Sequence, residues 1–357
     1  MNSQKYFIGL IVLLLVLTSC TSQSSREFRI TGFKGVEIEL LRSTPPSEMI
    51  PGSGATIAIK ARNLGAATTK SSDGRGMYIW WDLSPEAYID KSSLNKNYLL
   101  GEGNSVLLGS LETGSKGEKR GFYLGSFKLA DVNTILGEFS ESYLYFNIYT
   151  CYPYFTLLED RECIDLSLTN PSAMPKICEE ESKTYTHGQG APIGIYQIIP
   201  ETTIQQTDKG VVIVPAYRIK IRNYGRGQPL FNSKEKEFNI PYKEGNDISQ
   251  ITIFPYPNLC EEVTEIMYEK KPEEFLKDTL NKAHIHAYLS TIKMECQPDI
   301  LEFIDGEAET ICSVPVEDAK QLMTASKSSY YAPLTVRIDY SYFERPISRE
   351  ILIKKHS

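Results

Sequence analysis

Ten residues constrain this chain more than any other stretch. Ala216-Tyr217-Arg218-Ile219-Lys220-Ile221-Arg222-Asn223-Tyr224-Gly225 alternates apolar and polar side chains and then breaks at Asn-Tyr-Gly, the pattern of a half-buried strand entering a turn. The pattern also occurs 160 residues earlier, in Thr56-Ile57-Ala58-Ile59-Lys60-Ala61-Arg62-Asn63-Leu64-Gly65. Ile59, Lys60, Arg62, Asn63 and Gly65 stand where the later copy has Ile219, Lys220, Arg222, Asn223 and Gly225. A strand repeated in one register predicts that the chain holds two copies of one β module.

The first module is expected over 28–167. Val36–Leu40 alternates as a strand, the repeated strand follows Pro51-Gly52-Ser53-Gly54, and Met77–Trp81 and Val106–Leu111 are dense apolar runs. Leu129–Leu136 reads as a two-turn helix, and Tyr143–Tyr149 as the closing core strand. Short strands between Gly and Pro turns point to a β-sandwich. A linker spans 168–191, and the second module, 192–357, repeats the order: Ile193–Ile199, the repeated strand, a helix over Pro315–Thr324, and a last strand over Leu334–Tyr342. Pairing Ile148 with Ile338 gives an offset of 190 against 160 earlier, so the second copy carries about 30 extra residues. They fall in a helical insertion at about 258–283, where Pro272 suits a first helical turn and Glu273 and Glu274 favour its N-terminus.

The amino terminus sets an address. Lys5 precedes an apolar run of 12 residues, Tyr6–Leu17, too short to span a bilayer and of the length of a signal-peptide core. It ends in Leu17-Thr18-Ser19-Cys20, which resembles the lipobox of secreted lipoproteins, with residues 1–19 removed and Cys20 taking a diacylglycerol. Two acyl chains anchor a protein firmly, at about 0.8 kcal/mol per buried CH2. Residues 20–27 read as the lipidated Cys and a polar tether. The net charge of −7, or −8 once Lys5 is gone, argues against nucleic acid, whose phosphates reward Lys and Arg.

Six further cysteines, Cys151, Cys163, Cys178, Cys260, Cys296 and Cys312, form an even set in an exported chain and read as disulfides. Cys151 with Cys163, and Cys296 with Cys312, flank hairpin-length segments and are paired locally; Cys178 is left for Cys260. Metal binding is the rival, but no Cys-x-x-Cys occurs and the spacings do not suit zinc.

The Ile-Lys-x-Arg-Asn-x-Gly strands, with Leu108-Gly109-Ser110-Leu111-Glu112-Thr113-Gly114, resemble the adhesion-related, immunoglobulin-like modules often abbreviated CARDB. The block Cys151-Tyr152-Pro153-Tyr154…Cys163-Ile164-Asp165…Cys178…Gly188-Gln189-Gly190-Ala191-Pro192 is similar to one in uncharacterised archaeal surface proteins with tandem sandwich modules. The resemblance implies extracellular, non-catalytic modules used for adhesion or assembly, and carries no site residues with it.

Catalytic signatures are sparse. His284-Ile285-His286 puts two imidazoles on one strand face, half of a metal site without a clear third ligand. No Gly-x-Ser-x-Gly elbow and no Gly-x-x-x-x-Gly-Lys loop occurs. Glu159-Asp160-Arg161-Glu162 reads as an acidic hairpin tip, hydrated or holding Ca2+. Trp80-Trp81 and Tyr152-Pro153-Tyr154-Phe155 are candidate stacking platforms for sugars, with core packing the rival reading. The sequence thus predicts a lipid-anchored, two-module surface protein on the extracytoplasmic face. It would act by binding or scaffolding with a protein partner, without catalytic residues, cofactor or metal. The alternative is a solute- or glycan-binding lipoprotein of a transport system, which needs an aromatic cleft between the modules.

Overall fold

The computed structural model describes residues 31–67, 69, 77–90, 120–168, 176–208, 210–231, 259–260, 279–323 and 328–355. The signal peptide, Cys20 and the tether therefore lie outside the described residues. So do Val106–Leu111, the Leu108–Gly114 motif, residues 261–278 of the insertion, and His356.

The first half contributes β1 (Val36–Leu40), β2 (Glu48–Met49), β3 (Gly54–Asn63), β4 (Tyr78–Ser84), β5 (Arg120–Lys128), α1 (Val132–Ile135) and β6 (Glu141–Asp165). The second begins with β7 (Lys183–Thr184), β8 (Ile193–Pro200), β9 (Thr203–Thr207), β10 (Gly210–Val214), β11 (Ala216–Asn223) and β12 (Gln228–Leu230). It continues through β13 (Lys282–Leu289), β14 (Ile292–Lys293), β15 (Glu295–Gln297), β16 (Ile300–Glu302), β17 (Glu307–Ser313), α2 (Val316–Leu322) and β18 (Ser329–Lys354). The chain is mainly β, as the alternating runs predict, and both short helices fall where they are expected. The expected insertion reaches 283, but Lys282 and Ala283 already belong to β13, pairing with Glu302 and Leu301 of β16.

Two outer sheets, β1-β3-β5 and β15-β17-β11-β8-β7, lie against one large sheet of order β14-β13-β18-β6-β4. The repeated strands β3 and β11 sit inside their outer sheets, flanked by β1 and β5 in one half and by β8 and β17 in the other. The large sheet is shared. β6, of 25 residues, and β18, of 26, run antiparallel from Asp165 opposite Ser329 to Glu141 opposite Lys354, a ribbon of about 80 Å. Each half supplies the other with a strand, so the expected modules at 28–167 and 192–357 share their longest elements rather than following one another as beads.

The prolines of this ribbon sit where pairing allows them. β4 stops opposite Cys151, so Pro153 lies where β6 is an edge strand and its missing N–H removes no ladder bond. Pro346 falls in a bulge between Glu344 and Ile347 of β18. The extra residue reverses the parity of the strand: Val336, Ile338, Tyr340 and Tyr342 face the core before the bulge, Ile351 and Ile353 after it. One continuous hydrophobic core, from Ile59 and Trp81 to Ile219 and Val336, fills both halves.

Three disulfides form: Cys151–Cys260, Cys163–Cys178 and Cys296–Cys312, with Cα separations of 5.3, 5.8 and 3.9 Å. Cys296–Cys312 pairs as expected, opposite one another on β15 and β17. The other two pairings correct the sequence reading. Residues 151–163 are no hairpin but continuous β6, which holds Cys151 and Cys163 about 40 Å apart, beyond any disulfide.

Candidate functional site

The repeated motif builds the centre of the molecule. Ile59 and Ile219 face the core. On the solvent side Lys60 and Arg62 reach Glu39 at 3.6 and 3.1 Å, while Arg218 pairs with Glu201 and Glu309, and Arg222 with Glu307. Asn63 Nδ2 donates to the Ala67 carbonyl at 2.7 Å, and its Oδ1 accepts from Gly65 N–H at 3.1 Å and the Tyr154 hydroxyl at 3.2 Å. Asn223 repeats the set with Gly227, Gly225 and the Tyr342 hydroxyl, at 2.8, 3.1 and 3.0 Å. A Cβ on Gly65 or Gly225 would lie 1.9 or 2.0 Å from the tyrosine oxygen, which only glycine permits.

Tyr154 and Tyr342 are thus equivalent, 188 residues apart. Tyr152 and Tyr340 follow suit, the first accepting from Val36 N–H at 3.4 Å and the second bonded at 3.2 Å to the Thr156 hydroxyl, which donates to the Ile193 carbonyl. The offset of 190 expected from Ile148 and Ile338 is two residues too long. An even slip keeps every side chain on its face, so alternation alone cannot detect it. Burial raises the pKa of all four tyrosines.

The same equivalence sets two corresponding places on the outer face of the shared sheet. In the first half, Tyr78 and Trp80 of β4 oppose Cys151 and Tyr149 of β6. Trp80 is 5% exposed and stacks on Tyr149 and Phe343, centroids 5.7 and 5.9 Å away. Leu230, Leu259 and the Cys151–Cys260 bridge complete this cluster. Trp81 points the opposite way, into the main core against Phe127 and Phe146. Neither tryptophan offers a ring to a sugar, and Tyr152 and Tyr154 are likewise buried.

In the second half His284 and His286 of β13 oppose Asp339 and Arg337 of β18. The imidazole centroids are 4.1 Å apart, and the Phe231 ring lies 5.2 Å from His284. The Arg337 guanidinium sits 4.7 Å over Phe155, donating to Asp339 Oδ1 through Nε at 2.9 Å and Nη2 at 2.5 Å. Asp339 Oδ2 is 3.7 Å from His286 Nε2, and Asp299 Oδ2 is 3.8 Å from His284 Nε2. Burial, with help from Arg337 and Lys293, lowers the His286 pKa to about 4, so the ring is neutral at ordinary pH. Burial also raises the Asp339 pKa, against the pull of Arg337.

The arrangement offers two imidazoles, a fixed guanidinium and buried carboxylate oxygens, suited to hydrogen bonding and proton exchange. Among the described residues no three His, Cys, Asp or Glu side chains are placed to hold a metal. Sequence reasoning singled out the two histidines, and Phe155 as a stacking platform for a sugar where it carries Arg337 instead, but missed Arg337 and Asp339; the signal available was the outward parity of β18 opposite His-x-His.

Glu159-Asp160-Arg161-Glu162 is not a hairpin tip but lies within β6, near its C-terminal end. Asp160 accepts from the Tyr185 hydroxyl at 2.6 Å and pairs with Lys183 at 3.3 Å, while buried Glu162 meets the same lysine at 3.1 Å. Burial works to raise the Asp160 pKa, but these partners outweigh it and leave the pKa low; for Glu162 burial wins and raises it. These acids are committed to β7 rather than poised for a cation. No helix among the described residues is long and apolar enough to cross a membrane. No protein-family model and no curated protein matches the chain in sequence.

Proposed function

We propose that this chain is a lipid-anchored, non-catalytic scaffold on the extracytoplasmic face of a cell membrane, holding a protein partner through a rigid pair of immunoglobulin-like, CARDB-like sandwiches. The observation that carries the reading is the shared β6–β18 ribbon. A protein that closes on a solute needs halves that move about a hinge. Here both halves are built on the same two strands, and Tyr152, Tyr154, Tyr340 and Tyr342 occupy the junction where a cleft would have to open. Such a bar suits presentation of a surface at a fixed distance and angle. The disulfides fit an oxidising, extracytoplasmic compartment, and the lipobox-like Leu17–Cys20 supplies the anchor.

The test is native mass spectrometry of the protein extracted from its own membrane without reductant, beside a Cys20→Ser variant. Expected are an acylated Cys20, six hydrogens missing and a second protein retained, with the variant released from the membrane fraction. A lone chain carrying a small molecule would move the assignment to solute binding.

A further inference from the structure

At the start of β11, the opposite end of that strand from the Asn223 turn, the second half carries an open cleft of about 430 Å3. Half-buried Ile311, Pro315 and Val316 give it its apolar surface, and Glu295, Gln205 and Ser313 its polar part. It lies between the β9–β10 hairpin, the start of β11 and the segment where β17 runs into α2.

The first half has a counterpart where β5 runs into α1, a cleft of about 350 Å3 lined by Asp90, Lys128 and Asp131 among others. Its acids are engaged within the protein: Asp90 lies 3.9 Å from Lys128, and Asp131 Oδ1 accepts the amides of Asn133 and Thr134. The cleft in the second half differs. Glu201, on its wall, is held by Arg218 at 2.6 Å. Glu295, Gln205 and Ser313 have no side-chain hydrogen bond or ion pair among the described residues. An apolar floor beside an uncommitted carboxylate suits a side chain with a hydrocarbon stem and a cationic head.

We propose that this cleft seats a lysine or arginine side chain presented by a protein partner. The proposal rests on the scaffold reading and names the chemistry of what the scaffold holds. The stem lies along Ile311, Pro315 and Val316, and the charged head reaches Glu295. The net charge of −7 favours encounter with a basic segment before the contact forms.

The probe is a fluorescently labelled hexa-arginine peptide, titrated at low salt against the full chain in detergent. Two charge reversals are compared: Glu295→Lys, in the cleft, and Glu350→Lys, on an exposed position of β18 opposite Tyr145 of β6, away from the cleft. Expected is saturable binding that weakens about fivefold or more for E295K and by less than about twofold for E350K. Absence of saturable binding, or equal weakening by both variants, overturns the cleft and leaves only a diffuse field. Glu295→Gln serves if circular dichroism shows E295K misfolded, with the same direction expected. Native mass spectrometry separates this proposal from the reading beneath it. An E295K chain that keeps its native partner overturns the cleft alone. A wild-type chain without any partner that still binds peptide through Glu295 overturns the scaffold alone.

Discussion

The two corresponding places on the outer face of the shared sheet have the same backbone and opposite chemistry. Around Trp80 the site is a stack of rings closed by a disulfide; around His286 it is a buried set of charges. Position for position, Tyr149 stands where the other half has Arg337, and Cys151 where it has Asp339. Phe343 and Phe155, in contrast, are alike. The inner face shows no such divergence, since both Asn-x-Gly turns meet a tyrosine in the same way. The contrast teaches that packing between the sheets fixes the inner face, while the outer face is free to change as long as each site is internally satisfied.

The largest expected effect is on the apolar side. Trp80→Ala removes two stacked contacts and leaves a cavity over the Cys151–Cys260 bridge, costing about 3–5 kcal/mol. Denaturant melts without reductant measure it, and a loss under 1 kcal/mol would mean that the stack is not part of the fold's support. On the polar side Asp339→Ala strands a largely buried guanidinium, and about 3 kcal/mol is expected. Replacing both partners, Arg337→Met with Asp339→Leu, makes the site resemble its apolar counterpart and should recover most of that loss. If the double variant is no better than the single, charge pairing is not what the two residues contribute.

Acid should set two buried groups of the second half against each other. The folded His286 pKa is lowered from 6.5 to about 4, so between those values the unfolded chain binds the extra proton. Stability therefore falls as pH drops from 6.5 towards 4, by no more than about 3 kcal/mol. Glu344, half-buried beside Gly227 of the Asn223 turn, opposes this. Burial raises its pKa from 4.5 to about 7, so the folded state holds the proton more tightly and stability falls as pH rises through that window. His286→Gln should leave a profile that declines from pH 4.5 to 7, and Glu344→Gln one that declines towards acid. Parallel profiles for the two variants would reject both assignments.

How much of this was legible depended on whether a residue's role is local. The repeat was, because Asn63 and Gly65 act within their own turn and recur as Asn223 and Gly225. The mainly-β fold and both short helices were, through alternation and turn residues. β6 was not legible as one strand, because Pro153 and two cysteines imitate a hairpin, and only the end of β4 at Cys151 makes that proline harmless. Cys296–Cys312 was legible because it closes a local pair, but the other two disulfide pairings failed for the same reason as β6: Cys260 finds Cys151 through topology, across 109 residues. In the outer-face site His284 and His286 announced themselves as His-x-His, whereas Arg337 and Asp339 look like ordinary strand charges until β13 is laid against β18.

The smallest effect tests the part of the comparison that claims identity. The Tyr154 hydroxyl serves Asn63, with the Gly190 carbonyl as a second acceptor at 3.3 Å, and accepts from Ala67 N–H at 3.3 Å; the Tyr342 hydroxyl serves Asn223 and accepts from Gly227 N–H at 2.9 Å. Tyr154→Phe and Tyr342→Phe each remove one buried hydroxyl without leaving a sizeable cavity, at about 1–1.5 kcal/mol. Both asparagines keep their bonds to glycine N–H, so neither turn should unravel. Equal shifts in denaturant midpoint at an unchanged slope would show that the inner faces remain copies in energy as well as in geometry. A difference above about 1 kcal/mol would mean that one turn bears the junction and the other merely resembles it. The double variant decides whether the junction acts as one unit. Tyr340 lies between the two rings, at 6.3 Å from Tyr154 and 6.1 Å from Tyr342, close enough to couple them. A summed cost that departs from additivity by more than about 0.5 kcal/mol would place the coupling there, whereas strict additivity would make each half responsible for its own turn.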